Sequence, residues 1–206
     1  MSNFTKALDH LQRSDKALSA LIRKVGPCKL GIRRHASPFA ALFQAIVYQQ
    51  LNGSAAGTIL GRVKALYPGK KFPTPKDVLA TPDETLTKAG LSRAKVAAIK
   101  DLAFHARQGT VPSPRVIVGL TDVEIIERLT VIRGIGQWTV EMLLIFYLGR
   151  PDVWPTTDYG VRKGFARIYG MAELPSPKEL LELGEKWRPH RTVAAWYFWR
   201  ALELPN

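Results

Sequence analysis

The stretch Leu129-Thr130-Val131-Ile132-Arg133-Gly134-Ile135-Gly136-Gln137-Trp138-Thr139-Val140-Glu141-Met142-Leu143 decides how the rest is read. A helix capped near residue 122 runs into Gly134-Ile135-Gly136, and a second helix starts at once, from Gln137 to about Leu148. Two glycines in so tight a turn let the backbone take positive φ and approach a neighbour closely. Amides at the start of the second helix then point outward, where they can hold a phosphate. Ile135, between the glycines, can pack down and pin the two helices together. The spacing alone also fits an ordinary helical hairpin with a glycine C-cap. The charge of the whole chain favours the phosphate reading.

That charge is large. Thirty Lys and Arg stand against 17 Asp and Glu in 206 residues, a formal net charge of +13. A solubility device is one explanation, but a polyanionic partner, nucleic acid first, fits better. The basic residues, among them Arg62, Lys95, Arg107, Arg133, Arg162 and Arg191, are spread through the chain rather than gathered in a tail, as on a folded surface. With one cysteine, Cys28, the chain can form no internal disulfide and cannot by itself hold an iron–sulfur cluster or a cysteine-built zinc. His10, His35, His105 and His190 are scattered without metal-ligand spacing. The longest apolar run, Met142 to Leu148, is too short to cross a bilayer. Residues 1–18 read as amphipathic helix rather than signal peptide. A cytoplasmic protein without a membrane partner is expected.

Helical periodicity runs throughout. Leu8, Leu11, Leu18, Leu21 and Val25 space out as one or two helices stopped at Gly26-Pro27. Ser37-Pro38 reads as an N-cap with proline at the first helical position, followed by a buried face of Phe39, Leu42, Phe43, Ile46 and Val47. Ser54 is expected to cap the next helix. Thr81 to Glu84, Thr121 to Glu124 and Ser176 to Glu179 read as capping boxes. The only β-like run, Val116-Ile117-Val118, is too short to build a sheet. The fold class is therefore all-α.

Together these pieces resemble a known family. The Gly134-Ile135-Gly136 hairpin with Trp138-Thr139 is similar to the helix-hairpin-helix DNA glycosylases, and within them to the compact form of the 3-methyladenine DNA glycosylase II branch. Ser37-Pro38-Phe39 followed by Tyr48-Gln49-Gln50-Leu51, then Gly90-Leu91-Ser92-Arg93-Ala94-Lys95, then Asp158-Tyr159, resemble that branch's segments in the same order. The likeness covers about residues 37–200. It implies two helical subdomains, 37–148 (with the hairpin at 122–148) and 1–36 plus 149–206, around a central cleft that takes double-stranded DNA containing a damaged base. It implies base-excision repair of alkylated bases by base flipping, by a monomer.

Some members of the family carry a lysine nucleophile on the second hairpin helix. The matching position here, two residues after Gly136, is Trp138, which cannot do amine chemistry. The resemblance thus implies an enzyme that leaves an abasic site in an intact strand. Asp158 is the catalytic candidate. Breaking a glycosidic bond passes through an oxocarbenium-like sugar, which a carboxylate can stabilise while it activates water. Asp158 also stands where a helix N-cap would, and both roles stay open. Asp152 is a rival, and Glu141 a possible polar group of a pocket.

The resemblance makes Leu51, at a helix-to-loop transition, the wedge that enters the minor groove. A core leucine is the alternative. It places Trp138, Trp199, Met142, Phe39 and Tyr48 in the base pocket, with Met142 standing where bacterial members of the branch carry a tyrosine. Trp187 and Trp196 read as core, and Trp199 as pocket or packing. DNA backbone contacts are expected from Arg133, Gly134, Ile135, Gly136, Gln137 and Thr139. No cofactor is expected beyond a possible Na or K ion on the carbonyls of Val131, Arg133 and Gly136 when DNA is bound. Two alternatives stand: a glycosylase for oxidised, deaminated or mismatched bases, and a non-catalytic helix-hairpin-helix DNA-binding module.

Overall fold

The computed structural model describes residues 4–32 and 35–205. Regular structure among them is entirely helical, with no strand. No helix there is long and apolar enough to cross a membrane. The chain's contacts gather into two compact units, one of Met1–Ile32 with Leu144–Asn206 and one of Arg33–Leu143.

The first unit opens with α1 (Thr5–Ser14) and α2 (Lys16–Val25). They are two helices because Asp15 interrupts the first and caps the second: its Oδ1 accepts the Leu18 amide at 2.9 Å. Gly26 ends α2 at φ 84°, where a side chain would be strained.

The second unit carries α3 (Pro38–Tyr48), α4 (Gly53–Ala65), α5 (Pro75–Ala80), α6 (Asp83–Lys88), α7 (Arg93–Arg107), α8 (Pro114–Ile117), α9 (Asp122–Leu129) and α10 (Gln137–Leu143). The cap of α3 is Ser37, whose Oγ accepts the Ala40 amide. Thr121 and Glu124 form the expected capping box on α9. Other expectations need correction. Asn52, not Ser54, caps α4, because the helix starts earlier and Asn52 Oδ1 reaches the Ala55 amide at 2.8 Å. Thr81 is no cap. Its hydroxyl is committed to the Asp77 carbonyl and the Tyr67 hydroxyl, and α6 begins behind Pro82 without a side-chain cap. The box in this region belongs to Thr74 and Asp77 on α5. Val116 and Ile117 lie in the short helix α8, since the Ser113 cap and Pro114 at its start outweigh the β-preference of Val and Ile.

α3 packs on α4, α7 and α10, and α7 packs on α5 and α6. Phe43, Ile46, Val47, Ile99 and Leu102 are buried there.

After α10 the chain widens into a π-helical turn, Leu144–Leu148, so the single helix expected to run from Gln137 to about Leu148 changes its winding at Leu144. α11 (Tyr159–Tyr169), α12 (Pro177–Leu183, with the expected Ser176–Glu179 box) and α13 (Arg191–Ala201) complete the first unit. α13 is buried on nearly every side and has no polar face, which marks it as the central helix. α2 and α11 pack directly on it. Gly164 permits that approach, since a Cβ there would stand 2.0 Å from the Phe198 carbonyl oxygen. Trp187 is enclosed by Trp154, Phe165 and Phe198, with ring centroids 5.1, 6.1 and 5.3 Å away. Trp196 is buried too, so both expected core tryptophans are core.

Candidate functional site

The hairpin joins α9 to α10. Gly134 has φ 78°, and a Cβ on it would stand 2.9 Å from the Ala98 Cβ, so both conformation and space demand glycine. Gly136 does not take positive φ, contrary to the expectation for both glycines. A Cβ there would meet nothing within 4 Å, so its room faces outward. Ile135 between them is 3% exposed and pins the turn to the core. Arg133 is exposed, and its amide is held by Asp101 Oδ2 at 2.8 Å. Gln137 donates from Nε2 to Glu141 Oε1 at 2.9 Å, which employs the buried Glu141 within its own helix. Trp138 is 43% exposed, Met142 is half-buried and Thr139 is buried.

The turn after α3 lies beside this hairpin. Gln49 Nε2 donates to the Gly134 carbonyl at 3.0 Å and to Thr139 Oγ1 at 3.4 Å. Gln50 takes φ 56°, left-handed and rare for a residue with a side chain. Leu51 follows, 40% exposed, off the buried stripe of α3. Lys95 Nζ, from α7, donates to the carbonyls of Val47 and Gln49 at 2.7 and 2.8 Å. Burial pushes its ammonium pKa below the ordinary lysine value. The segment Gly90-Leu91-Ser92-Arg93-Ala94-Lys95 thus acquires physical meaning. Gly90 turns at φ 110° against Ile59, Leu91 is buried, Ser92 caps α7, and Lys95 ties off the end of α3.

Asp158 belongs to the first unit. The segment leading to it is fastened at several points. Asp152 pairs with Arg188 and Arg191, Thr192 Oγ1 binds the Val153 amide and the Arg150 carbonyl, and Trp154 Nε1 donates to the Leu180 carbonyl at 2.7 Å. Asp152 is therefore engaged in a structural ion-pair network with two arginines. Asp158 itself is 8% exposed and caps α11, its Oδ1 accepting the Val161 amide at 2.8 Å. The same oxygen accepts from Trp199 Nε1 at 2.8 Å. The Trp199 indole stacks on Phe146 of the π-helical turn, centroids 5.7 Å apart and planes 23° from parallel. Gly160 makes the arrangement possible: a Cβ there would lie 2.9 Å from Trp199 Cδ1 and 3.1 Å from Asp158 Oδ1.

The structure thus brings together Asp158 and Trp199 in one unit, and the Gln49–Leu51 turn and the hairpin in the other. Tyr48, at the last position of α3, is half-buried, its hydroxyl facing Gly57 of α4. Phe39 is placed otherwise. It lies roughly 14 Å along α3 from Tyr48, 6% exposed, edge-on to Phe43 and Phe72. It lines a cavity of about 650 Å³ with Pro38, Phe72, Pro73, Val111 and Pro112. Its ring packs on neighbouring rings at the wall of that cavity. Among the described residues no group of three or more His, Cys, Asp or Glu could hold a metal ion.

Residues 43–190 match the family model described as HhH-GPD superfamily base excision DNA repair protein. The chain belongs to the HhH-GPD superfamily. DNA-3-methyladenine glycosylase 1 of Schizosaccharomyces pombe is 35% identical over 207 residues, covering 100% of this chain and 91% of that protein. A solved structure of the 3-methyladenine DNA glycosylase of that yeast, in complex with abasic DNA, has a TM-score of 0.87 at 36% identity and covers 97% of this chain and 98% of that one. A crystal structure of DNA-3-methyladenine glycosidase from Bacillus halodurans has a TM-score of 0.86 at 35% identity and covers 98% and 91%.

As a superfamily member the chain is a base-excision repair protein, and DNA is its partner. Within that frame, sequence reasoning missed Gly160, Phe146 and the part played by Lys95. Gly160 had a faint signal, a glycine two positions into a helix whose cap was already suspected, where helix propensity argues against it. Phe146 had none, since an apolar residue inside an apolar run looks like core.

Proposed function

We propose that the chain is a monofunctional DNA glycosylase that removes alkylated bases of the 3-methyladenine and 7-methylguanine type from double-stranded DNA, leaving an abasic site. The observation that carries the proposal is the carboxylate of Asp158. It is almost buried, yet its orientation is set by two donors on one oxygen. A module that only bound phosphates could cap α11 with Ser or Thr and would have no further use for a negative charge that repels them. As the glycosidic bond lengthens, positive charge grows on the sugar, and Asp158 stabilises it and orients the attacking water. Alkylated purines already carry positive charge and leave readily, so one carboxylate suffices. Electron-rich aromatic faces attract such cations by roughly 1–2 kcal/mol when desolvated. Trp199 offers such a face beside Asp158, and Trp138 offers one on α10.

The second unit takes hold of the DNA. Exposed Arg133 and the amides around Gly136 and Gln137 bind phosphates, whereas Thr139, expected to join them, is buried with its hydroxyl on Gln49 and holds the neighbouring turn instead. Leu51 wedges into the minor groove and fills the space left by the extruded base. Val131, Arg133 and Gly136, whose carbonyls the resemblance assigns to a monovalent cation, are exposed residues of the hairpin, although the Gly136 carbonyl also accepts the Val140 amide at 3.2 Å. They would hold a Na or K ion that adds positive charge beside a phosphate. The enzyme works as a monomer.

The test is release of free bases from methylated duplex DNA, identified by chromatography. The parental chain should release methylated purines. Asp158→Asn should release none while binding DNA as tightly or more tightly, because it removes a charge that repels phosphate. Release at the parental rate by the Asn variant would overturn the assignment.

A further inference from the structure

Lys95 is oddly placed for its own helix. It stands in the first turn of α7, where the helix dipole disfavours a cation, and it is half-buried there. What it serves is α3. That helix ends without a glycine, so its last carbonyls need partners from elsewhere. Lys95 Nζ takes the Val47 and Gln49 carbonyls at 2.7 and 2.8 Å. The Tyr48 carbonyl between them accepts the Leu51 amide at 3.3 Å. Three consecutive carbonyls are thereby occupied, and the turn that presents Leu51 is tied to α7.

Gln49 adds a second tether. Its carbonyl is held by Lys95 while its side chain binds the Gly134 carbonyl and Thr139 Oγ1 of the hairpin. Beyond the turn, Asn52 anchors the start of α4. Leu51 is thus the exposed residue of a segment fixed on both sides, and the strained φ of Gln50 is what fixed neighbours can sustain.

We infer that Lys95 is a positioning residue for base extrusion: it locks the Gln49–Leu51 turn so that Leu51 meets DNA from a fixed place, and Gln49 ties that place to the phosphate-binding hairpin. The inference rests on the wedge role proposed for Leu51. Misplacing a group by an ångström costs a reaction on the order of 100-fold, and a wedge acting between stacked bases is subject to the same demand.

The test is single-turnover base release by Lys95→Met, Lys95→Arg, Gln49→Ala, Leu51→Ala and the Lys95→Met/Leu51→Ala double variant. Each is measured on a lesion opposite its normal partner and on the same lesion mispaired. Lys95→Met should slow release from the paired lesion by about 10- to 100-fold, and much less from the mispaired one, which is already partly unstacked. Lys95→Arg should recover most of the rate. Gln49→Ala, which spares the α7 tether, should show the same preference more weakly and covers the case in which Lys95→Met folds poorly. The double variant should be no slower than Leu51→Ala alone, because both changes remove one action. The slope of log K against log salt should be unchanged in Lys95→Met.

A slope shallower by about 0.9 would make Lys95 a phosphate contact instead. Equal losses on the two substrates would make it a folding residue. Additive losses in the double variant would mean that it does not act through Leu51. Any of the three overturns the inference while leaving the wedge intact. If Leu51→Ala itself shows no preference for paired lesions, the wedge role falls and the inference falls with it.

Discussion

Trp199 Nε1 and Asp158 Oδ1 are joined by a hydrogen bond of 2.8 Å, on the oxygen that also receives the Val161 amide at 2.8 Å. Two donors on one oxygen leave the carboxylate little freedom to turn. The N-cap that α11 requires and the orientation that the proposed catalytic role would require are therefore one arrangement. The cap is observed, and it is compatible with the proposed catalytic role, because the same geometry would serve both.

Gly160 is the most sensitive point of that arrangement. Alanine is the better helix former by about 1 kcal/mol, so Gly160→Ala should not lower stability for reasons of propensity. Its methyl, however, would press on Trp199 and Asp158 at 2.9 and 3.1 Å. Base release should fall on the order of 10-fold or more, with the melting temperature changed by a few degrees at most. Trp199→Phe keeps a ring against Phe146 but loses the donor, and should show a milder loss. Single-turnover release beside thermal unfolding checks both, and unchanged release in Gly160→Ala would show that the contact is absorbed elsewhere.

The product should be an abasic site in an unbroken strand. Trp138, 43% exposed on α10, occupies the position to which the resemblance assigns the lysine of strand-cleaving members, and its indole cannot form a Schiff base. Borohydride added during turnover should trap no protein–DNA adduct. A covalent adduct on a denaturing gel would refute this.

Binding should weaken steeply with salt, since a net charge of +13 and the hairpin amides imply several phosphate contacts, each adding close to −0.9 to the slope. Leu51→Ala should leave that slope nearly unchanged and slow extrusion instead, most for lesions in well-paired DNA, where unstacking costs a few kcal/mol. Binding titrations at several salt concentrations separate the two effects. A changed slope would place Leu51 among residues that organise phosphate contacts.

Asp15 ties the first unit together and should make it acid-sensitive. Burial would raise its carboxyl pKa, but Lys186, Tyr169 and the Leu18 amide outweigh burial and hold it below the ordinary value. A carboxyl whose folded pKa is depressed stabilises the fold above its unfolded pKa of about 4 and ceases to do so as pH falls through the lowered value. Asp15→Asn should cost roughly 1–3 kcal/mol at neutral pH, and its deficit should shrink towards pH 3. Urea unfolding at both pH values decides the matter; an unchanged deficit would mean that hydrogen bonding, rather than charge, is what Asp15 contributes.

What the chain's own order determined is local. The Ser37, Thr121 and Ser176 caps, the Gly26 and Gly134 turns and the helical periods were legible because each joins residues within a turn or two of one another, where spacing dictates contact. The Ser54 and Thr81 assignments failed in the same local range, because several polar residues nearby could cap and the helix starts, at Gly53 and behind Pro82, fell elsewhere. The charge was legible as well, being a sum that no folding changes.

Tertiary structure alone decided which groups meet. Trp199 reaches Asp158 across 41 residues, Lys95 reaches the Val47 carbonyl across 48, and Gln49 reaches Gly134 across 85. The same holds for the ring of Phe39, which meets Phe72 across 33 residues. A hydrogen bond extends about 3 Å, so residues that far apart in the chain can form one only after helices have packed. Which face of a helix carries a partner depends on burying apolar area that is summed over the whole unit, and no short stretch of sequence contains that sum.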